Sequence, residues 1–549
     1  MRRGIICVQL RALLIAAVMI PAMVAPEGTQ AGTRPPAAGK SGMVASAHPL
    51  ATRVGLDILQ KGGNAVDAAV ATAFALGVVE PYASGIGGGG FMLIYLAEKQ
   101  EVIAIDYRET APLAIKVSET FDRKAGAKSV ATPGMVSGLA RAIADYGQMN
   151  LKEVLEPSIR LAEEGFTVGR LFVNFVSHGS AKISRFSELE KKYLKPGFRE
   201  GDRFRQPDLA RTYRLIAEKG AEVFYRGEIA GAISAEMKRS GGWLTAEDLA
   251  RYQALIRKPV KGSYRGYEIY SMPPPSSGGT HVIELLNILE GYDPARLGSH
   301  PAWRIQLTAE AMRRVFGDRS RYMGDPDFVR VPSAQLTSKE YAAELRKGIR
   351  EDRFNASFKM PPLPFEPEET THLSVADRKG NLVAITQTLN SFFGSGILVP
   401  GTGILLNNEM SDFSEGGPNR MEPGKRPVSS IAPTILLKGG RPAMSLGMAG
   451  AERIIGGLPQ IIINAVDFGM NIQAAIDAPR FFCRSAVIEM ESRFGPSVQE
   501  SLTRMGYGIK TRKPYDLYFG GAQGVMIDPR TGTLYGGADP RRSGCAEGY

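Results

Sequence analysis

The stretch Thr370-Thr371-His372-Leu373-Ser374-Val375-Ala376-Asp377 decides how this chain folds. Leu373 and Val375 alternate with polar neighbours along it, and beyond the turn Asp377-Arg378-Lys379-Gly380 the apolar residues Leu382 and Ala384, or Val383 and Ile385, repeat this spacing of two. A period of two on both sides of a glycine-containing turn predicts a β-hairpin. Thr370 therefore stands at the mouth of a buried strand.

The segment just before this hairpin is rich in proline: Pro361, Pro362, Pro364 and Pro367. Proline disfavours helix and favours an extended, exposed backbone. An exposed connector that runs directly into a core strand is unusual inside a compact domain. One economical explanation is that the chain is cut there, so that Thr370 becomes a new N-terminus.

A free N-terminal threonine combines a hydroxyl nucleophile with an α-amine that can take its proton, so that no distant histidine is needed. The alternative is that Thr370 and Thr371 are only two β-branched residues that open a strand. The local sequence leaves both interpretations open.

Several longer motifs resemble the γ-glutamyltransferase (γ-glutamyltranspeptidase) family. They are Thr370-Thr371-His372-x-Ser374-Val375-x-Asp377, Thr388-Leu389-Asn390, Gly403-Ile404-Leu405-Leu406-Asn407-Asn408-Glu409-Met410, Arg426-Pro427-Val428-Ser429-Ser430, Gly62-Gly63-Asn64-Ala65-Val66-Asp67, Arg108-Glu109-x-Ala111-Pro112, Ser271-Met272-Pro273-Pro274-Pro275-Ser276-Ser277-Gly278-Gly279 and Ala538-Asp539-Pro540-Arg541-Arg542. The resemblance extends from Gly42 to Tyr549. It implies an N-terminal nucleophile hydrolase, a four-layer αββα sandwich built from two autocleaved fragments. Helices and strands that are mixed along the chain without a strict βαβ repeat separately favour the α+β class.

The expected organisation has three parts. Residues 1–31 are expected to be a signal peptide, because Arg2, Arg3 and Arg11 precede the apolar residues 12–25 and Thr29-Gln30-Ala31 is a small-residue cleavage site. Residues 32–369 would form the large subunit and residues 370–549 the small catalytic subunit, with one shared core. We therefore expect a periplasmic or secreted heterodimer with no membrane span after signal removal.

Composition narrows the function classes. The chain has 549 residues, of which 44% are hydrophobic and 22% charged, and its formal net charge is +11. Basic residues are scattered among acidic ones, which argues against nucleic-acid binding. The three cysteines do not make a disulfide scaffold, and pairing of Cys483 with Cys545 stays open. Five scattered histidines show no metal spacing, so we predict no metal and no cofactor.

Apolar periodicity also predicts individual elements. Helices are expected at residues 49–61, 65–79, 157–164 (with Pro157 in the first turn), 228–238, 245–253, 303–323, 458–468 and 472–478. Strands are expected at 91–96, 102–107, 264–270, 433–437, 442–446, 525–528 and 533–535. Residues 32–40 are expected to be disordered, and the Gly87–Gly90 run to serve close backbone packing rather than phosphate binding.

The resemblance implies a role for each site residue. The Thr370 hydroxyl would attack the Glu369 carbonyl and, once freed, the γ-carbonyl of a donor. Thr388 would orient the nucleophile. The remaining matches are donor contacts: Arg108, Ser429 and Ser430 to the α-carboxylate, and Asn390, Glu409 and Asp412 to the α-ammonium. An arginine suits a carboxylate because its fork pairs bidentately. His372 has no role left and is expected to be structural.

Two departures from the family pattern stand out. The family commonly has Gly-Ser-Pro-Gly-Gly at its oxyanion hole, whereas this chain has Gly447-Met448-Ala449-Gly450-Ala451. Gly450 and Ala451 can still supply backbone N–H groups, provided that the backbone at Ala451 does not demand glycine. In addition, only 16 residues separate Asp412 from Ser429. Many members have a longer lid there, so an open pocket is expected.

The leading functional hypothesis is γ-glutamyl transfer and hydrolysis on glutathione-like donors, with water or amino acid and peptide acceptors. A poly-γ-glutamate hydrolase and a glutaryl or cephalosporin acylase are alternatives on the same scaffold. An uncleaved, non-enzymatic binding protein is the alternative from a different class.

Overall fold

The computed structural model describes residues 34–359 and 370–549. The expected signal peptide, the proline-rich connector and Glu369 lie outside this range. Within it, no helix combines the length and the apolar character that crossing a bilayer requires.

One large sheet contains the hairpin that the sequence predicts. Its seven strands are antiparallel and follow the spatial order Cys545–Gly548, Gly42–Ser46, Thr371–Asp377, Leu382–Thr388, Gly89–Leu96, Glu101–Tyr107 and Leu255–Arg257. In the central hairpin Leu373 pairs with Ile385 and Val375 with Val383. We call it the nucleophile sheet, because Thr370, the nucleophile that the sequence analysis predicts, directly precedes one of its central strands.

A second seven-stranded sheet is also antiparallel. Its spatial order is Ala37–Gly39, Leu534–Ala538, Ala522–Ile527, Arg441–Met448, Thr434–Lys438, Tyr267–Ser271 and Val260–Tyr264. The two sheets are in contact: Ser445 Oγ lies 3.2 Å from Ser374 Oγ and donates to the Val383 carbonyl over 3.0 Å. Both central hairpins therefore meet in one core.

The remaining strands within residues 34–359 and 370–549 form three smaller sheets. They consist of Phe481–Cys483, Val487–Glu491 and Gly508–Arg512; of Phe166–Thr167 and Arg203–Phe204; and of Leu398–Val399 and Ile404–Leu405.

The helices pack in two groups. Those on the side of the nucleophile sheet are Pro49–Gln60, Ala65–Val79, Met135–Tyr146, Leu151–Glu164, Arg170–His178, Ser180–Ile183, Ser187–Tyr193, Pro207–Lys219, Glu222–Tyr225, Glu228–Arg239 and Ala246–Arg251. Those on the side of the second sheet are Gly278–Glu290, Pro294–Ser299, Pro301–Tyr322, Ser333–Leu336, Lys339–Lys347, Arg453–Val466, Ile472–Asp477 and Pro496–Arg504. Mixed helices and antiparallel sheets confirm the α+β class.

The structure confirms several of the sequence-based elements. Every residue of helix Ala65–Val79 is buried, as its nearly all-apolar sequence predicts, and Asn64 and Asp67 cap it reciprocally. The glycine run packs closely, because a Cβ on Gly88 would lie 2.0 Å from the Thr388 carbonyl oxygen. The nucleophile-sheet strands can therefore approach one another beside the site.

Other expectations were wrong. Helix Leu151–Glu164 begins at an Asn150–Glu153 capping box, so that Pro157 lies in its interior rather than in its first turn. The turn Arg265-Gly266 divides the expected strand 264–270 into a hairpin, and both turn residues have positive φ. Ala37–Gly39 pairs with Leu534–Ala538 instead of being disordered.

The cysteine pairing that the sequence left open is absent in the structure. Cys483 is a buried free thiol and Cys545 a partly buried one. Burial raises the pKa of the Cys483 thiol to about 12, which keeps it protonated and unreactive.

Candidate active site

A small cavity collects most of the predicted site residues at the start of strand Thr371–Asp377. Its lining residues are Thr370, Thr388, Arg108, Asn390, Asp412, Ser429, Ser430, Ile431 and Ala451. These residues come from distant parts of the chain, and the sheets bring them together. Glu409 and Gly450 lie directly behind this lining, next to Arg108 and Ala451 respectively.

Asn390 links the two sides of the cavity. Its backbone N–H donates to Thr388 Oγ1 over 2.7 Å, and its Nδ2 donates to Asp412 Oδ1 over 2.9 Å. The residue has a φ of 79°, a left-handed conformation that asparagine adopts more readily than most side chains. The position of Asp412 is thereby coupled to that of Thr388.

Arg108 lies at the end of strand Glu101–Tyr107, as the sequence predicts, and is only 1% exposed. Its Nη2 contacts Asp412 Oδ2 at 2.6 Å and its Nη1 contacts Glu409 Oε2 at 2.8 Å, while Nε donates to the Pro427 carbonyl over 3.2 Å. The arginine expected to hold a carboxylate is therefore already paired with both acids expected to hold an ammonium.

Buried acids outnumber the arginine. Glu109, Glu409 and Asp412 all lie within 4 Å of the Arg108 guanidinium. Burial, partly offset by Arg108, raises the pKa of Glu109 to about 8 and that of Glu409 well above its usual value. Burial would lower the pKa of Arg108, but Glu409, Asp412 and Glu109 outweigh it and raise the pKa. The cluster therefore has a surplus of acidic groups.

The segment Ala449-Gly450-Ala451 leads from strand Arg441–Met448 into helix Arg453–Val466. In the described part of the chain, no acceptor pairs with the backbone N–H groups of Gly450 and Ala451. Such free donors at the start of a helix suit a developing oxyanion. Ala451 has a φ of 50°, in the left-handed region that favours glycine. The sequence analysis required that the backbone at Ala451 not demand glycine, but the sequence alone could not show which conformation Ala451 adopts.

A buried network that sequence reasoning missed supports this segment from behind. Asp539 Oδ2 accepts from Arg480 Nη2 over 2.7 Å and from the Ala522 N–H over 2.9 Å, and Arg480 Nη1 donates to the Phe519 carbonyl over 3.3 Å. This network fixes Gly520, where a Cβ would lie 1.9 Å from the Ala449 carbonyl oxygen. The motif Ala538-Asp539-Pro540-Arg541-Arg542 was the signal for it, but the motif does not reveal its partners.

His372 lies between the sheets and not in the cavity. Its Nδ1 is 2.7 Å from Thr386 Oγ1 and its Nε2 is 3.0 Å from Ser374 Oγ. Burial lowers its pKa to about 3, so the ring is neutral. Over residues 34–359 and 370–549, no cluster of three histidine, cysteine or acidic side chains is arranged to hold a metal ion.

The cavity has a volume of about 20 Å³. This is room for about one water molecule. A γ-glutamyl group therefore cannot enter without a rearrangement around Thr370. The open pocket expected from the short loop after Asp412 stays a prediction for the cut protein.

The chain was compared with known proteins. The γ-glutamyltranspeptidase family model matches residues 51–549. The glutathione hydrolase proenzyme of Escherichia coli is 40% identical over 96% of this chain and 95% of the relative. The acylase ACY 1 proenzyme of Pseudomonas sp. strain SE83 is also 40% identical, over 93% and 94%.

A solved structure gives the same relationship. The cephalosporin acylase from Bacillus halodurans superimposes with a TM-score of 0.85 at 32% identity, over 97% of this chain and 99% of that one. The family model alone spans most of the chain. The chain is therefore a member of the γ-glutamyltranspeptidase family.

Proposed function

We propose that this protein is a γ-glutamyltransferase and glutathione hydrolase that cuts itself before Thr370. One observation supports this most strongly: Thr370 and Thr388 share a cavity with the cluster of Arg108, Asn390 and Asp412. A nucleophile is thereby placed within a few ångströms of groups that suit both charged ends of an amino acid. The name of the E. coli relative supports glutathione as the donor.

In this proposal the Thr370 hydroxyl attacks the Glu369 carbonyl, and water hydrolyses the ester to free the α-amine. The same hydroxyl then attacks the γ-carbonyl of the donor, and the amine takes its proton. Gly450 and Ala451 donate to the oxyanion, and Thr388 orients the nucleophile. The leaving amine departs, and water or an acceptor amine clears the acyl group.

The hydrogen-bond acceptors around Arg108 favour a donor that has an α-ammonium. Carboxyl oxygens of Glu409 and Asp412 lie against Arg108, and Asp412 also accepts from Asn390. An ammonium could donate hydrogen bonds to these acids, whereas a glutaryl group has no such donor. The α-carboxylate would bind the hydroxyls of Ser429 and Ser430 and the guanidinium of Arg108. This guanidinium would at the same time keep its contacts with Glu409 and Asp412.

The organisation of the mature protein belongs to the same proposal. Residues 1–31 would be removed on export to the periplasm or beyond, and residues 32–369 and 370–549 would stay together as a heterodimer. The contacts between the two sheets support a four-layer αββα arrangement of the N-terminal nucleophile type, in which strands of both fragments share one core.

A cephalosporin or glutaryl acylase is the second candidate. Two observations favour it: the TM-score of 0.85 with the Bacillus halodurans acylase, and an alanine at position 451 with a φ of 50°. An altered oxyanion segment can shift the acyl carbonyl and therefore change which acyl chain reacts.

The test is a donor panel of glutathione, γ-glutamyl-p-nitroanilide, a glutaryl-p-nitroanilide and poly-γ-glutamate, applied to purified protein. The proposal expects cleavage of the two γ-glutamyl compounds and little cleavage of the glutaryl one. Preference for the glutaryl compound would establish the acylase instead.

Denaturing electrophoresis with N-terminal sequencing tests the self-cleavage. Two fragments are expected, the smaller beginning at Thr370, and a single band for Thr370→Ala. An intact chain in a fully active preparation would overturn the mechanism. The matched variant Thr371→Ala should still be cut, because its hydroxyl donates to the buried Glu80 instead of facing the cavity.

A further inference from the structure

The residue that follows Ala451, which lines the cavity, forms an ion pair. Glu452 comes directly after Ala451, and its Oε2 lies 2.5 Å from Nη1 of Arg484. The Glu452 side chain is 9% exposed and that of Arg484 is 32% exposed. Arg484 is therefore accessible from solvent, and its partner Glu452 is the chain neighbour of the cavity-lining Ala451.

Glu452 occupies the N-cap position of a helix, but its side chain does not cap that helix. It precedes helix Arg453–Val466, yet its side chain makes no capping hydrogen bond. A carboxylate at a helix start is favoured by the helix dipole without such a bond. The carboxylate is directed to Arg484, which follows strand Phe481–Cys483.

Further charges surround this pair. Arg319 is buried and donates from Nε to Ser277 Oγ over 2.9 Å, and Ser277 Oγ donates to the carbonyl of Ser429 over 2.7 Å. Burial lowers the pKa of Arg319 to about 10, and the charges of Glu452, Asp412, Arg484 and Arg108 all act on it. Arg319 is therefore within electrostatic range of both the cavity residues Asp412 and Arg108 and the Glu452–Arg484 pair.

The proposed reaction brings a second molecule, the acceptor, to the acyl group. An acceptor amine must approach the acyl carbon from the side on which the leaving amine departed, because transfer is the reverse of acyl-enzyme formation with another amine. The acceptor's own carboxylate then points away from Thr370. An amino acid or dipeptide at this point has one negative and one positive end, as the pair does.

We propose that Glu452 and Arg484 form the subsite for the acceptor, and for the leaving amine of the donor, with an α-amino acid or dipeptide as its ligand class. The inference rests on the proposed function. Arg484 binds the acceptor carboxylate, and Glu452 holds the acceptor ammonium before it loses its proton to water. The neutral amine then forms the C–N bond, the bond between the acyl carbon and Thr370 Oγ breaks, and the amine proton returns to Oγ.

The experiment measures the ratio of transfer to hydrolysis with γ-glutamyl-p-nitroanilide as donor, over a range of glycylglycine and glycylglycinamide concentrations. The ratio is used because a smaller amount of active enzyme lowers the rates of transfer and hydrolysis equally and leaves their ratio unchanged. In the unaltered protein, glycylglycine should be the better acceptor, because glycylglycinamide lacks the carboxylate.

Arg484→Gln should raise the glycylglycine concentration for half-maximal transfer about tenfold, the loss expected for one charge-assisted hydrogen bond. It should also abolish the preference over glycylglycinamide. Glu452→Gln should weaken both acceptors, since both have the ammonium. Arg141→Gln is the matched control, because Arg141 forms an exposed pair with Asp145 on helix Met135–Tyr146, in the helix group on the side of the nucleophile sheet.

Each single variant leaves one charge of the pair without its partner, which could disturb the local structure. The double variant Glu452→Gln/Arg484→Gln leaves no unpaired charge and therefore tests acceptor binding alone. A subsite predicts that this variant stays impaired, whereas recovery of glycylglycine use would overturn the inference. An unchanged acceptor preference in Arg484→Gln would overturn it as well. If the unaltered protein releases no p-nitroaniline, the proposed function has failed rather than the subsite alone.

Discussion

Nη2 of Arg108 lies 2.6 Å from Oδ2 of Asp412, although the two residues are 304 positions apart in the chain. If the chain is cut before Thr370, this ion pair joins the two fragments across the donor cavity. A buried pair of this kind contributes less to net stability than its contact suggests, but removing one partner leaves a costly unpaired charge. On the proposed function, Arg108 therefore contributes both to donor binding and to the contact between the fragments.

We predict that Arg108→Gln raises the KM for γ-glutamyl-p-nitroanilide steeply. Loss of a buried charged partner costs roughly 2–5 kcal/mol. The unpaired acids should also lower the melting temperature, which calorimetry would measure beside the kinetics. Arg257→Gln is the matched control, because Arg257 pairs with Asp106 at 2.6 Å outside the cavity. It should cost stability with little change in KM, and an unchanged KM in Arg108→Gln would contradict its role as the carboxylate contact.

The second prediction concerns the pH dependence of stability. Burial raises the pKa of Glu109 to about 8 from 4.5. Between these values the folded state keeps a proton that the unfolded state releases, so folding stability is full below about pH 4.5 and falls as pH rises through about 8. Glu109→Gln cannot lose a proton there and should show a shallower decline in melting temperature from pH 5 to pH 8.5.

The control for this measurement is Glu422→Gln. The hydrogen bond from Lys425 and that from Arg420 lower the pKa of Glu422, so its contribution is present above pH 4.5 and is lost only as the solution becomes more acidic. That variant should change no slope between pH 5 and pH 8.5. Parallel curves for the unaltered protein and Glu109→Gln would refute the prediction.

Ala451 provides the third prediction. A non-glycine residue in the left-handed region costs about 1–2 kcal/mol, and the extra freedom of glycine in the unfolded chain offsets about 0.4–1 kcal/mol of that. Ala451→Gly should therefore raise the free energy of unfolding by about 0.5–1 kcal/mol in urea denaturation. It should also allow the oxyanion donors to relax, so the kcat for the anilide should not fall.

Ala449→Gly is the matched control two residues earlier. Ala449 is buried and is not among the residues with positive φ, so this change should destabilise the protein by about 0.5–1 kcal/mol. Equal effects of the two substitutions would show that the backbone at Ala451 stores no strain.

The sequence predicts features that depend on neighbouring residues of the chain, but it does not predict contacts between segments that are distant in the chain. The hairpin around Gly380 and helix Ala65–Val79 were predicted because their signals are local alternation and an apolar run. The site residues were named through the resemblance, and the structure brings most of them to one cavity. Their pairing was not predicted: Arg108 contacts Asp412 and Glu409 only because the sheets bring distant segments together, and no local pattern encodes that. The φ of Ala451 was likewise beyond the sequence, since no local pattern encodes how the preceding residues Ala449 and Gly450 pack against Gly520.

The last prediction concerns the short loop between Asp412 and Ser429. Asn419 ties its two ends together, donating from Nδ2 to the Asp412 carbonyl over 2.8 Å and accepting on Oδ1 from the Val428 N–H over 2.9 Å. A loop held down in this way cannot extend over the cavity as a lid. Because a lid excludes water from a reactive ester, hydrolysis should compete well with transfer, and poly-γ-glutamate should be accepted.

The measurement is the product ratio with glycylglycine as acceptor and, separately, glutamate release from poly-γ-glutamate. Asn419→Ala removes both ties and exposes Asp412 to water, so it should increase the hydrolysed fraction and raise the KM for the donor. Glu415→Gln, an exposed position of the same loop, should leave both unchanged. Strong preference for transfer together with no action on the polymer would show that another segment closes the cavity after the cut, since the tied loop cannot.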